Sequence, residues 1–141
     1  MPSENEIAVG TFWDAFWSKG DLSVAEEIFD PYFSDHDPYW PSGVDGGIPA
    51  MIDKNHFYRG LLSDLACTVT RQLVAGDQVV TRWEARGTHH GEWAGIAPTG
   101  NPIVITGISL FTCRDGKILE QTIEYDLLGM LRQMGATTIP T

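Results

Sequence analysis

Apolar residues recur at helical spacing in the first stretch of the chain: Ile7, Val9, Phe12, Trp13, Phe16 and Trp17. That spacing predicts one helix, with the apolar set on its buried face. Ser3 with Glu6 makes a capping box ahead of it and Gly20 stops it, so the helix is expected from about Glu4 to Ser18. Ser23 with Glu26 reads as a second capping box, opening a short helix through Ile28 that Pro31 ends. Tyr32 to Pro38 reads as extended, and the Pro and Gly content of Pro38–Gly43 predicts a loop. A third helix is expected over Asp45–Asp64, with Ile48, Met51, Ile52, Phe57, Tyr58, Leu61, Leu62 and Leu65 as its buried positions.

From Ala66 the period changes to two. Cys67, Val69, Arg71 and Leu73 alternate with Thr68, Thr70 and Gln72. Gly76-Asp77 is a turn, Gln78–His90 a long strand, Pro98–Asn101 a loop and Pro102–Cys113 a further strand. Arg114-Asp115-Gly116-Lys117 is a hairpin signal, Ile118–Tyr125 the last strand and Asp126–Met134 a closing helix followed by a tail. Helices first and an antiparallel meander second predict an α+β fold in a single domain, residues 1–141. The expected architecture is a cone-shaped barrel: a curved, mostly antiparallel sheet with the N-terminal helices packed on its concave face. The open end of such a cone holds a small molecule.

Composition narrows the function. In 141 residues there are 19 Asp+Glu against 9 Lys+Arg, a net charge of -10. Phosphate backbones and anionic membranes repel such a chain, so neither nucleic acid nor a membrane is expected as a partner. The first residues are polar and acidic, unlike a targeting leader, and no apolar run approaches the ~18 residues that span a bilayer. Cys67 and Cys113 stand alone, outside any metal-ligand spacing. A reducing, cytoplasmic setting is the expectation. Five Trp, six Phe and four Tyr are enough to fill a core and also to line an apolar pocket.

Two strands carry candidate chemistry. On the first, Val79, Thr81, Trp83, Ala85 and His89 share one parity, and Arg82, Glu84, Arg86 and His90 the other. Strict alternation turns His89 inward and the charged row outward, but a bulge at Gly87 would reverse parity beyond it, which leaves the inward face open. The charged row also fits a solvated or subunit-facing ladder, and His89 a structural histidine. On the last strand Glu120, Thr122, Glu124 and Asp126 share a parity. If that row faces an apolar cavity, desolvation raises a carboxylate's pKa and fits it for acid–base work. Asp126 equally suits a helix N-cap. His36, between Asp35 and Asp37, matches no zinc spacing, so no metal is expected, and it reads as a hydrogen-bonding group at a pocket rim. There is no GxGxxG with a ribose ligand, no phosphate loop and no GxSxG. Cofactor-free acid–base chemistry or plain ligand binding remains.

The segments Gly87-Thr88-His89-His90-Gly91-Glu92-Trp93, Gly95–Gly100, Asp115–Glu120 and Asp126–Gly135 resemble the SnoaL-like polyketide cyclases, or ester cyclases, of the nuclear-transport-factor-2-like superfamily. The resemblance implies the cone-shaped α+β barrel, a homodimer formed through the outer sheet, and no cofactor. In characterised members an Asp near the end of the last strand is the acid/base of an intramolecular aldol ring closure, and Asp126 matches it. His89 and His36 match recurrent family histidines, and the Pro98–Gly100 turn is structural.

The sequence departs from the family where Thr122 replaces an aromatic residue and Glu124 a non-acidic one. Arg82-Trp83-Glu84 resembles the Arg-x-Asp pair of epoxide hydrolases in the same superfamily, with Glu for Asp. The expectation is therefore a cofactor-free cyclase or isomerase for a small, hydrophobic, oxygenated, polyketide-like substrate. Asp126, His89, Arg82 and Glu124 are its expected catalytic groups, and His36, Tyr39, Trp40, Trp83, Glu84, Trp93 and Phe16 its substrate contacts. An epoxide-opening enzyme and a non-catalytic binding domain are the alternatives.

Overall fold

The computed structural model of the chain describes residues 2–40 and 43–137. The expected loop residues Pro41 and Ser42 and the end of the tail lie outside the described residues. Helix α1 (Glu4–Thr11) opens on the expected capping box: Ser3 Oγ accepts from the Glu6 amide and Glu6 Oε1 from the Ser3 amide, both at 3.2 Å. The helix then widens into a π-helical segment, Phe12–Ser18, in which Phe12, Trp13, Phe16 and Trp17 are all buried. Side chains of a later helix take up carbonyls at its end. Asn55 Nδ2 donates to Phe16 O at 2.8 Å and Arg59 Nη1 to Trp17 O at 2.6 Å. Gly20, at φ +67, lies where a Cβ would strike the Arg59 guanidinium, so the stop residue also makes room for that contact.

Asp21, not Ser23, starts the next elements, accepting from the Ser23 amide at 3.1 Å. A 3₁₀ turn (Leu22–Val24) leads into α2 (Ala25–Ile28), which has no side-chain cap. Strand β1 (Phe29–His36), a 3₁₀ turn (Gly43–Gly46) and helix α3 (Gly47–Leu61) follow. The third helix is thus shorter than its periodicity predicts. Strand β2 (Leu62–Ala75) begins where Leu62 and Ser63 pair with His89 and Thr88 of β3 (Gln78–His89), and that pairing overrides the helical pattern. Strands β4 (Pro102–Arg114) and β5 (Lys117–Tyr125) and helix α4 (Leu127–Gln133) complete the chain.

The five strands form one mixed sheet in the order β1-β5-β4-β3-β2, with β1 parallel to β5 and the other neighbours antiparallel. The sheet is neither closed into a barrel nor strongly curled, which corrects the expected cone-shaped barrel. β1 and β2 are free edges. Helix α3, which packs against both β1 and β2, covers the inner face instead.

Alternation sorts the two faces. Val79, Thr81, Trp83, Ala85 and His89 of β3 and Ile103, Ile105, Ser109 and Phe111 of β4 are buried, whereas Arg82, Arg86 and Ile108 are exposed. β3 and β4 pair without a break from Gln78↔Thr112 to Thr88↔Pro102, so Gly87 causes no reversal of parity. The reversal lies in β5. Thr112 pairs with Glu120 and Cys113 with Ile118, leaving Leu119 as an extra residue. Before this bulge Ile118 faces the core; after it Gln121 and Ile123 do. No helix among the described residues is long and apolar enough to cross a membrane.

Candidate active site

The inner sheet face, the π-helical segment and α3 line a narrow pocket that opens to solvent on one side, with about 500 Å³ of space between its walls when the open mouth is counted. Its walls are apolar: Trp13 and Trp17 from the π segment, Trp83 and Ala85 from β3, Ile105 and Ile123 from β4 and β5. The wider turn of the π segment sets both indoles on this wall while Phe12 and Phe16 fill the core behind it, stacked at 6.0 Å. The indole N–H groups of Trp13 and Trp83 donate to Thr81 Oγ1 (3.2 Å) and Ser109 Oγ (3.0 Å), so these rings present carbon to the cavity.

A compact polar cluster interrupts the apolar lining. Lys54 Nζ donates to Asp35 Oδ2 at 2.6 Å and to Asp37 Oδ2 at 2.8 Å, with all three side chains at most 4% exposed. Gln121 Nε2 donates to Asp35 Oδ1 at 2.8 Å. The Tyr39 amide donates to Asp37 Oδ1 at 2.8 Å. Tyr125 OH stands 3.3 Å from both Asp37 oxygens, and Tyr58 OH lies 2.8 Å from Tyr125 OH. Desolvation raises the pKa of both phenols, and the nearby Asp37 carboxylate adds to the rise. Both therefore stay neutral donors at physiological pH. A buried ammonium held by two carboxylates, with two phenols leading from one of them, forms a hydrogen-bonded chain on an otherwise oily wall.

Sequence elements explain this convergence. Asp35 and Asp37 share a parity on β1 and its extension, so both turn inward while His36 between them turns out. His36 sits 3.4 Å from Ser34 Oγ and 3.6 Å from Glu120 Oε2. Lys54 falls between Met51 and Tyr58 on the buried stripe of α3, and the bulge at Leu119 aims Gln121 at Asp35. None of Asp35, Asp37, Lys54, Tyr58, Gln121 and Tyr125 was among the expected site residues. A lysine at the i+3 position of an apolar helix stripe, opposite two same-parity aspartates, was the available signal.

The expected residues fall elsewhere, with two exceptions. Trp83 lines the cavity, and Tyr39 stands at its edge, its ring 5.2 Å from that of Tyr125. Asp126 is exposed and caps α4, accepting from the Gly129 amide at 2.8 Å. Glu124 is exposed on the outer face. Arg82 and Glu84 lie on that same outer face, 3.7 Å apart, because β3 keeps its alternation. Phe16 is buried behind the cavity wall. Trp40 and Trp93 flank Phe57 at 5.6 and 5.8 Å. His89 is buried, its Nδ1 accepting from the Thr99 amide at 3.3 Å and lying 2.9 Å from Thr99 Oγ1. The structure thus does not bring Asp126, Glu124, His89 and Arg82 together. Among the described residues no cluster of three or more His, Cys, Asp or Glu is placed to hold a metal ion.

The family model of SnoaL-like polyketide cyclases matches residues 7–134. The chain belongs to that family. Among solved structures, this SnoaL-like chain is similar to wild-type IdmH of Streptomyces antibioticus, provisionally assigned as a polyketide cyclase. The two share 28% identity over 95% of this chain and 100% of that one, with a TM-score of 0.82. TsrD of Streptomyces laurentii is 27% identical over 94% and 96% of the two chains, with a TM-score of 0.82. AclR of Streptomyces galilaeus, provisionally a hydroxylase, shares the fold at 22% identity, 94% and 96% coverage and a TM-score of 0.81. No curated protein matches the chain. In this SnoaL-like protein the His89 and Pro98–Gly100 motifs form one structural unit. Besides the side-chain contacts, the Gly100 amide donates to His89 O and the His89 amide to Asn101 O, at 3.0 and 2.9 Å, which pins the turn to the end of β3.

Proposed function

We propose that this SnoaL-like protein is a cyclase or isomerase that moves a proton on a small, hydrophobic, oxygenated substrate of polyketide type, without a cofactor. Asp37 is the base and Tyr58 with Tyr125 the acid. The observation that carries this reading is the Asp37–Tyr125–Tyr58 chain, anchored on Lys54 at the edge of an apolar cavity. A Tyr125 hydroxyl 3.3 Å from each Asp37 oxygen is beyond the usual O–H···O range of about 2.5–3.0 Å, so it can turn to a ligand at small cost. A phenol then donates to a substrate carbonyl oxygen while Asp37 takes the proton from the adjacent carbon. The C–H electron pair passes into the enolate. In a cyclisation that enolate carbon bonds a second carbonyl carbon, whose oxygen recovers the proton. Apolar walls keep water from the enolate and strengthen each hydrogen bond to it.

The same reading seats a second copy of the chain on the open outer face of the sheet. Because Arg82, Glu84 and Glu124 belong to that face, the epoxide-opening alternative built on Arg82 and Glu84 receives no support. The test is α-proton exchange of β-tetralone in deuterium oxide, followed by NMR, as a probe of enolisation. Asp37→Asn is expected to lower the protein-dependent rate about 10²-fold or more, the weight of one acid–base group. Tyr125→Phe is expected to lower it as well, while Asp126→Ala retains it. An undiminished rate in Asp37→Asn, or a collapse confined to Asp126→Ala, sinks the assignment.

A further inference from the structure

One buried polar atom of a cavity-lining residue has no hydrogen-bond partner among the described residues. It is Oε1 of Gln121, which lines the cavity at 0% exposure. The amide cannot be turned round to remove the problem. Its other end faces Asp35 Oδ1 at 2.8 Å, and a carboxylate oxygen, already serving Lys54 through Oδ2, requires the NH₂ there. Oε1 is therefore fixed as an acceptor. The donors of the other lining residues have partners of their own: Lys54 with Asp35 and Asp37, Trp13 with Thr81, Trp83 with Ser109, Tyr58 with Tyr125, and Tyr125, more loosely, with Asp37. Ile123, two residues along the same face of β5, offers carbon only. A buried acceptor left unpaired destabilises a fold, and native structures keep few of them.

We infer that Gln121 is a specificity residue whose Oε1 accepts a hydrogen bond from a hydroxyl of the substrate. The inference rests on the reading of this cavity as the substrate site, and it names the substrate class: a neutral, ring-sized apolar molecule bearing a hydroxyl as well as a carbonyl. The phenols donate to the carbonyl, and Gln121 accepts from the hydroxyl. Neutrality follows from the cluster beside it, in which two carboxylates face one ammonium and leave one formal negative charge. An anionic ligand would bring a second negative charge into a medium that screens poorly. Methylation of the ligand hydroxyl removes the donor and leaves Oε1 unpaired beside an ether, so such analogues are rejected.

Calorimetric titration with β-naphthol and its methyl ether at neutral pH tests this without any turnover. The wild-type protein is expected to bind β-naphthol about tenfold or more tighter than the ether, the scale of one unpaired buried polar group. In Gln121→Met, which keeps side-chain length and loses the amide, the ratio is expected to fall to about twofold or less, the ether binding no worse than to wild type. A purely structural role for Gln121 would weaken both ligands alike and leave the ratio intact. Equal affinities in the wild type, or a ratio that persists in Gln121→Met, overturn the inference. If the variant fails to fold, the wild-type pair alone decides. Binding of neither ligand overturns the inference together with the cavity as a ligand site. Discrimination between the ligands alongside a silent exchange assay would retain Gln121 as the selector and remove only the catalytic roles of Asp37 and Tyr125.

Discussion

Lys54 is the residue on which the polar cluster depends. Its ammonium is almost wholly out of water, between two carboxylates that are equally buried. Burying ions costs several kcal/mol each, and only their mutual attraction and the hydrogen bonds from Gln121, Tyr39 and Tyr125 offset it. Removing the cation leaves two like charges facing each other in a dry site. Lys54→Met is thus expected to lower stability by about 3–5 kcal/mol, measured by urea unfolding at neutral pH. A loss under about 1 kcal/mol would mean the cluster is solvated, as exposed pairs are. These residues were half legible. The segment Asp35-His36-Asp37 stands out in the sequence, but there the histidine reads as the hydrogen-bonding group of a pocket rim, and nothing local marks the two aspartates as the inward pair. Parity alone decides which of the three faces inward, and parity on β1 is set by its pairing with β5, a long-range contact that local pattern does not contain.

At the scale of elements, the order of helices and strands followed the periodicity closely, including the capping box at Ser3 and the hairpin at Asp115-Gly116. The differences have identifiable causes. The π segment carries the same apolar residues as an α-helix, so only its packing reveals it. Leu62 and Leu65 continue the helical stripe of α3, yet Leu62 and Ser63 already pair with β3. The bulge at Leu119 reverses the face of β5, which is why Gln121, Ile123 and Tyr125 reach the cavity and Glu124 does not.

Gly107 supports the same arrangement from β4. It stands between Trp83 and Tyr125 in the sheet, and a Cβ there would run into the Trp83 ring and lie 2.8 Å from Glu124 O. The indole lies over the glycine because nothing else fits beneath it. Gly107→Ala is expected to push Trp83 into the cavity and cost about 1–3 kcal/mol, the usual penalty of overpacking. Thermal unfolding measures the loss, and a shifted indole emission reports the displaced ring. A variant with native emission and native stability would show that the ring has room to spare.

The whole molecule is a two-layer structure that covers one face of its sheet and leaves the other open. On the open face Arg82, Ile108 and Glu124 lie in one cross-strand row, with Glu84 and Thr106 in the next. Ile108 is 52% exposed, an apolar side chain between a positive and a negative neighbour. A chain with net charge -10 should repel its own copies, so an interface must supply its own attraction. This face carries both signs around an apolar centre, and a copy turned by half a revolution sets Arg82 against the acidic end of the same row, the self-complementarity that a twofold contact requires. The expected state is a dimer, measured by sedimentation velocity at micromolar concentration. Ile108→Lys, which places a cation at the centre of the patch, is expected to weaken association at least about tenfold, as loss of a buried central contact does. Because Ile108 points away from the cavity, the dissociated variant should still bind β-naphthol. A monomeric wild type, or an Ile108→Lys variant that associates as well as the wild type, would move any partner off this face and leave the sheet's outer side as solvated surface.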